Sequence, residues 1–271
     1  MKKIPDTQTD ETQMNLTAED YIEMAQDTTS AKKAQEYLNA ALALEPDNQE
    51  AQTILAAVKK DAVAMLASLE KQIALEEAEL RKQGCFKKNC IGDFWLMLET
   101  RDYMRMRSSR MDTLIMMGRL RAAAQEGEEL LRLCTNDNLG IRFTLIALYV
   151  TLEDEKALQN VLSRYPGEAG PEGPLARSIL AWKQGDLETS LSALREITIK
   201  GLRPFIKAVI DDSLEIKYDE ELWQLEQSGA YTFNSIQHLL HINESWFFLL
   251  PSCHVYFVWA YEALKTVRTK A

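Results

Sequence analysis

Apolar residues recur at helical spacing along most of this chain, and short polar turns interrupt them. Between Gln49 and Gln83 they lie three or four positions apart, which predicts two helices or one long bent helix ending at Gly84. Further helices are predicted over 102–117, 120–133, 138–151 and 153–164. With only 11 glycines and 7 prolines, the chain has too few turn residues for many-stranded β structure, so an all-α fold is predicted.

One stretch, 30–48, has the pattern of a helix that closes a helical hairpin. This stretch ends a unit of about 34 residues that begins at Asn15. The unit has small residues at Ala25, Ala34 and Ala41, and larger apolar ones at Tyr21, Leu38 and Leu44. Small residues allow two helices to approach closely, large ones are expected to fill the gap to the next hairpin, and Pro46 cannot continue the second helix. The pattern returns over 118–138 and 181–201, with Gly118 and Gly185 in the predicted turns. Such hairpins must stack, because one alone cannot bury its apolar face.

These three units resemble tetratricopeptide repeats and, with their linking helices, cover most of residues 15–200. A narrower resemblance begins at Asp93–Arg105, DFWLMLETRDYMR, and continues with Gly118-Arg119 and the run NDNLGIR at 136–142. This order is similar to bacterial repeat proteins related to the suppressor-of-tumorigenicity-7 family, which have proline where this chain has Asp102. The resemblance implies a right-handed superhelix of antiparallel helical hairpins, and it implies no established reaction.

Gly127 departs from the repeat pattern, because Leu38 and Leu194 occupy the corresponding positions in the other units. A glycine there predicts one of two things. Either the middle hairpin is thinly packed, or another helix lies close to it.

The ends of the chain differ from its repeat-like centre. Residues 1–14 are polar, lack the apolar run of a secretory signal and are predicted to be disordered. The hairpin and long helix are predicted over 15–83, the central repeats over 84–201 and a helical cap over 202–271. The cap is aromatic-rich, with Trp223, Tyr231, Phe233, Trp246, Phe247, Phe248, Tyr256, Phe257 and Trp259. These side chains either cover the last hairpin or form an exposed patch for a partner or a second copy.

The formal net charge of -10 disfavours binding to nucleic acid or to anionic membranes. The charge is uneven, since residues 1–80 carry 7 basic and 16 acidic side chains whereas residues 81–132 carry 11 and 7. The 4 cysteines do not form a small disulfide framework, which favours a reduced, cytoplasmic protein. The apolar run 246–261 is shorter than the roughly 20 residues of a membrane span and contains Pro251, so no span is predicted.

A basic cluster consists of Arg101, Arg105, Arg107 and Arg110, with Tyr103 among them. Arg101 and Arg105 are one helical turn apart, and guanidinium groups suit the carboxylates of a peptide, to which Tyr103 would add a flat contact. The cluster is therefore a candidate recognition strip on the inner face of the array. The alternative is a solvated face paired with Glu99, Asp102 and Asp112.

A second candidate pair is Asn138 and Arg142, at the start of a predicted first helix. Asparagine can donate to and accept from a peptide backbone, and Arg142 would lie one turn further along the same groove. The alternative is that Asn138 caps the helix and Arg142 pairs with Asp137.

The sequence offers little for catalysis or metal binding. His238 and His241 are three apart, and Cys85 and Cys90 are separated by four residues, but neither spacing matches a zinc site. No nucleophile elbow and no phosphate-binding glycine loop is present. We therefore expect no metal, no cofactor and no enzymatic activity.

Together these features predict a protein-binding module or scaffold that holds a peptide or protein partner in the concave groove of the array. One alternative is a structural unit that self-assembles through the aromatic C-terminal region. Another is a regulatory module that binds an acidic or phosphorylated protein through the basic cluster.

Overall fold

A computed structural model describes residues 16–165, 171–197, 202–212, 246 and 248–266, and every regular element in them is a helix. The α-helices are α1 (Ala18–Asp27), α2 (Ala31–Leu44), α3 (Gln49–Val58), α4 (Ala62–Gln83), α5 (Arg101–Met116), α6 (Leu120–Leu133), α7 (Ile141–Leu152), α8 (Glu155–Arg164), α9 (Glu172–Lys183), α10 (Leu187–Arg195), α11 (Leu202–Ile210), α12 (Leu249–Ser252) and α13 (His254–Thr266). Two 3₁₀ turns, Phe94–Leu96 and Leu98–Thr100, precede α5. The predicted all-α class is confirmed, whereas residues 1–14 lie outside the described part.

The helix ends follow from local side-chain chemistry. Five helices have an N-cap residue directly before their first residue, and its side-chain oxygen accepts a hydrogen bond from a backbone N–H of the first turn. These N-cap residues are Thr17, Ser30, Asn48, Asp154 and Asp186. The predicted turns at Gly118 and Gly185 are confirmed, with φ angles of 70° and 83° that favour glycine. The stretch 49–83 forms two helices, α3 and α4, rather than one bent helix.

The chain divides into two compact units, residues 1–79 and residues 80–271. In the first unit, the predicted small positions Ala25, Ala34 and Ala41 are buried together with Leu38. Leu44 is 55% exposed, so its predicted role as a filler between hairpins is wrong. This leucine is the last residue of α2, which ends two residues before Pro46.

In the second unit, neighbouring helices pack in pairs: α5 with α6, α7 with α8, and α9 with α10. Helix α7 also packs against α6 and α9, which joins the three pairs. Its residues from Leu145 to Val150 are all buried. A helix surrounded on several sides is apolar around most of its circumference, as α7 is.

Gly127 lies in α6 at a close approach to α7. A β-carbon placed there would lie 2.8 Å from Leu145 Cδ2 and 3.2 Å from Met111 Sδ. Of the two expectations for Gly127, the close approach of another helix is therefore the correct one.

The described aromatic residues of the tail are buried or half-buried, and Phe248 and Trp259 are among the half-buried ones. Helix α13 packs on α11 and α10, and Trp246, Tyr256 and Phe257 are buried. The Tyr256 hydroxyl donates to Ser178 Oγ over 2.8 Å, which ties the tail to α9. The covering role is thus observed for these residues, and Trp223, Tyr231, Phe233 and Phe247 lie outside the described residues.

Candidate partner-binding surface

The segment between α4 and α5 is fixed by one buried ring and one backbone bridge. Phe94 is fully buried, and its ring is in edge contact with Phe86 at 5.0 Å. Gly92 N donates to Leu133 O over 3.0 Å, and Thr135 N donates to Gly92 O over 2.8 Å. These contacts anchor the segment to the end of α6, so the residues that follow Phe94 have a defined position.

The residues beyond Phe94 form an exposed surface with two arginines. Leu96 is 62% exposed and Leu98 is 72% exposed, while Trp95 is half-buried. The guanidinium carbons of Arg101 and Arg105 lie 5.5 Å and 5.6 Å from the centre of the Trp95 ring, within cation–π range. We call these five residues, Trp95, Leu96, Leu98, Arg101 and Arg105, the Trp95 surface.

The Trp95 surface carries two positive charges, one of which is paired with a neighbouring acid. Arg101 Nε donates to the Trp95 carbonyl oxygen over 3.0 Å, so this guanidinium is oriented by backbone rather than by a carboxylate. Arg105 pairs with Asp102 at 2.7 Å, but both side chains are exposed and such pairs are weak. Residues 81–105 include six basic and three acidic side chains, in a protein whose net charge is -10.

Arg107 and Arg110, the other half of the predicted basic cluster, face inward. Both bind the carboxylate of Glu126, which is only 5% exposed. Arg107 also donates to the Tyr103 hydroxyl over 3.1 Å. Burial by itself lowers the pKa of Arg107, but the hydrogen bond and the attraction of Glu126 outweigh burial and raise that pKa above its ordinary value. The predicted partners Glu99 and Asp112 are replaced by an acid from the next helix.

Tyr103, the predicted flat contact for a partner, is a core residue with no exposed surface. Its ring is in edge contact with Phe86 at 5.8 Å. Helix α5 directs Tyr103 toward the buried aromatic group because it lies two positions from Arg101 and four from Arg107, on the inner face. The assignment of Tyr103 to a binding strip is therefore corrected to a packing role.

Asp137, rather than Asn138, caps the start of α7 with its side chain. Its carboxylate accepts from Ile141 N at 2.7 Å and from Arg142 N at 3.1 Å, and it pairs with Arg142 Nη1 at 3.0 Å. Burial raises the pKa of Asp137, although these bonds from α7 and the Arg142 charge oppose the rise. Asn138 instead accepts a weak hydrogen bond from the Cys134 thiol at 3.3 Å. The predicted Arg142–Asp137 pair is confirmed, and the capping role of Asn138 is wrong.

Arg142 also borders a cavity of about 230 Å³ between α7, α8 and α9. Its guanidinium carbon lies 4.3 Å from the centre of the Phe143 ring and 5.3 Å from that of Tyr165. The apolar part of the lining comes from Phe143, Ile146, Val161, Leu162 and Pro174. Arg142 thus forms part of the wall of this cavity, and its predicted place in the inner groove of the array stays a prediction.

The sequence pattern missed the role of Trp95, Leu96 and Leu98. The signal was present, since 94–98 is a run of five consecutive apolar residues in front of a helix. A helix in contact with one neighbour buries only one stripe of its surface, so some of these side chains had to be exposed. What the sequence could not show was that Phe94 takes the buried position.

Among the described residues, no group of three or more histidine, cysteine, aspartate or glutamate side chains could hold a metal ion. His238 and His241 lie outside them. Within the same residues, no helix has both the length and the apolar character needed to cross a bilayer.

No protein-family model matches this chain, and no curated protein or solved structure matches it.

Proposed function

We propose that this chain is a non-enzymatic protein-binding module, built as a tetratricopeptide-like array, whose Trp95 surface binds an acidic peptide segment that also carries apolar side chains. One observation carries the proposal: two guanidinium groups lie over a single indole ring, beside two leucines that are more than 60% exposed. The four free cysteines support a reducing, cytoplasmic setting.

The composition of the Trp95 surface supports a protein partner. Tryptophan and arginine are the residues most enriched where protein interfaces derive their binding energy. A guanidinium offers five N–H donors, and the hydrogen bonds described above use one at Arg101 and one at Arg105. Carboxylates of a partner would bind the remaining donors, and its apolar side chains would cover Leu96 and Leu98.

The geometry of the segment also favours recognition. The buried Phe94 ring and the Gly92–Thr135 bridge fix the backbone on which Trp95 lies, so a partner does not have to order it. Arg101 is oriented by its bond to the Trp95 carbonyl. Binding therefore loses less conformational entropy here than it would on a loop without such anchors.

The test is a fluorescence anisotropy titration with a labelled peptide of about a dozen residues, rich in glutamate and with one central leucine. We expect binding that weakens as ionic strength rises from about 0.05 M to about 0.3 M, because screening shortens the range of the arginine charges. The double variant Arg101→Glu/Arg105→Glu should lose the peptide.

The matched control is Lys32→Glu/Lys33→Glu, which makes the same change in net charge on exposed positions of the first unit. This control should bind like the wild type. Equal losses of peptide affinity in both double variants would show that peptide binding depends only on the net charge of the protein. A peptide that fails to bind the folded wild type at low salt would overturn the proposal.

A further inference from the structure

The cavity beside Arg142 has a wall that is apolar except for Arg142 and Glu172, and a rim that carries both signs of charge. Its interior is formed by Ile146, Val161 and Leu162 among others. At the rim, Arg177 and Glu196 form an ion pair of 2.6 Å and remain 40% and 52% exposed. The one fully enclosed acid of the wall, Glu172, is in the first turn of α9, where the helix dipole favours a negative charge.

The size of the cavity selects its occupant. At about 230 Å³ it lies below the roughly 300–1,000 Å³ of sites for drug-sized ligands and cofactors. It would hold several waters, but apart from Arg142 and Glu172 the wall gives them few partners. A single large apolar side chain is the ligand that matches both the volume and the lining.

The charges at the rim match a peptide backbone better than they match an ion. An anion would be attracted by Arg177 and repelled by Glu196, and a cation would meet the reverse. A backbone amide has one N–H donor and one C=O acceptor, so it can bind both rim residues at once. Their own ion pair is exposed and therefore contributes little that would be lost.

We infer that this cavity receives one leucine-sized apolar side chain from the bound peptide, with the peptide backbone lying between Arg177 and Glu196. The inference rests on the proposed function and adds a preference for one residue of the peptide. The Trp95 surface selects for acidic charge, and the cavity selects for one apolar residue.

A continuous set of contacts joins the two sites. Tyr165, in the cavity lining, donates from its hydroxyl to Thr135 O over 3.1 Å. Thr135 N in turn donates to Gly92 O over 2.8 Å, three residues before Trp95. The two sites are therefore linked by hydrogen bonds within the second unit.

Gly173 allows the cavity to be closed from inside. A β-carbon there would lie 3.4 Å from Leu162 Cδ2 and 3.6 Å from Arg177 Nη1, both ordinary contacts. Gly173→Leu would therefore fill the cavity, while Gly173→Ala, the matched control, leaves most of it open. Both substitutions lie within α9, where replacing glycine favours the helix.

The experiment compares two acidic peptides, identical except for leucine or alanine at the centre, by anisotropy on the wild type and both Gly173 variants. On the wild type and on Gly173→Ala, we expect the leucine peptide to bind about tenfold more tightly. On Gly173→Leu, this preference should fall to within about twofold, with circular dichroism unchanged.

A leucine preference that persists in Gly173→Leu, or is absent from the wild type, would overturn the cavity inference. If binding still depends on salt and on Arg101 and Arg105 in that case, the proposed function stands without it. Failure of both peptides to bind the folded wild type would overturn both proposals.

Discussion

Arg101 and Arg105 lie at the start of α5 over the half-buried Trp95 ring, whereas Arg107 and Arg110 on the same helix bind Glu126, which is 5% exposed. The outer pair therefore faces solvent, and the inner pair forms part of the contact between α5 and α6. Both pairs carry the same charge, and their members are four and three positions apart, so each pair lies on one face of the helix. Their difference lies in what the neighbouring elements supply.

Arginines of one basic cluster can have different surroundings, because each pair faces a different neighbouring element. A buried carboxylate requires compensation by cations, and α6 supplies Glu126 opposite the inner pair only. The segment before α5 supplies an aromatic ring to the outer pair instead. Arginines of the first kind stabilise the fold, and arginines of the second kind are available to a partner.

The largest effect should come from Glu126→Ala, which leaves Arg107 and Arg110 buried without their carboxylate. We expect the free energy of unfolding to fall by about 3–5 kcal/mol, the range for breaking one side of a buried ion pair. Urea denaturation followed by circular dichroism measures it. Asp102→Ala is the control, because Asp102 is exposed and pairs with the exposed Arg105 of the outer pair, so a loss below about 1 kcal/mol is expected. Comparable losses would contradict the distinction between the pairs.

Gly127→Leu should have the next largest effect, because Leu145 and Met111 already occupy the space beside Gly127. Overpacking of this kind lowers the free energy of unfolding by about 1–3 kcal/mol. Thermal unfolding provides the measurement, with Gly173→Ala as a glycine substitution at an uncrowded helical site. A rise in melting temperature would mean that α6 and α7 are not in close contact.

A smaller change is expected for Arg101→Glu/Arg105→Glu. Since these arginines lose only an exposed ion pair and two cation–π contacts, the free energy of unfolding should change by no more than about 1–2 kcal/mol. The helical signal in circular dichroism should remain. A cooperative loss of helix would show that Arg101 and Arg105 stabilise the fold, as Arg107 and Arg110 do. The Trp95 surface would then not be a binding surface.

The smallest effect concerns two hydroxyls and appears only at alkaline pH. Burial, and at Tyr149 also the hydrogen bond to Glu128, raises the pKa of Tyr149 and of Tyr256 above the ordinary value of about 10. The folded state thus keeps protons that the unfolded state loses, so stability is complete below pH of about 10 and declines above it.

Ultraviolet absorbance during an alkaline titration tests this. Tyr149 and Tyr256 should be among the tyrosines that ionise only as the helical signal disappears. Tyr149→Phe should have one late-ionising tyrosine fewer than the wild type. Ionisation of every tyrosine while the protein stays folded would contradict the described burial.

Much of the helical framework was predictable because its signals are local. Proline and glycine end helices regardless of what packs nearby, and Asn48 caps α3 through its own side chain at 3.0 Å from Ala51 N. The small residues Ala25, Ala34 and Ala41 have helical spacing and are buried as expected.

The candidate site was less predictable because its features depend on distant contacts. Arg107 and Glu126 are 19 positions apart, and nothing in the spacing of the arginines shows which of them face that acid. Tyr103 is buried only because Phe86 and Phe94, from outside α5, close over it. The cavity beside Arg142 is formed by three helices and has no signature in any one of them.

We propose a division of the four arginines between recognition and stability, and two double variants measured side by side test this division. The measurement is the free energy of urea unfolding for Arg101→Ala/Arg105→Ala and for Arg107→Ala/Arg110→Ala. We predict a loss of at most about 1–2 kcal/mol for the outer pair and of more than about 3 kcal/mol for the inner pair, which leaves Glu126 buried and uncompensated. Equal losses, or a larger loss for the outer pair, would contradict it.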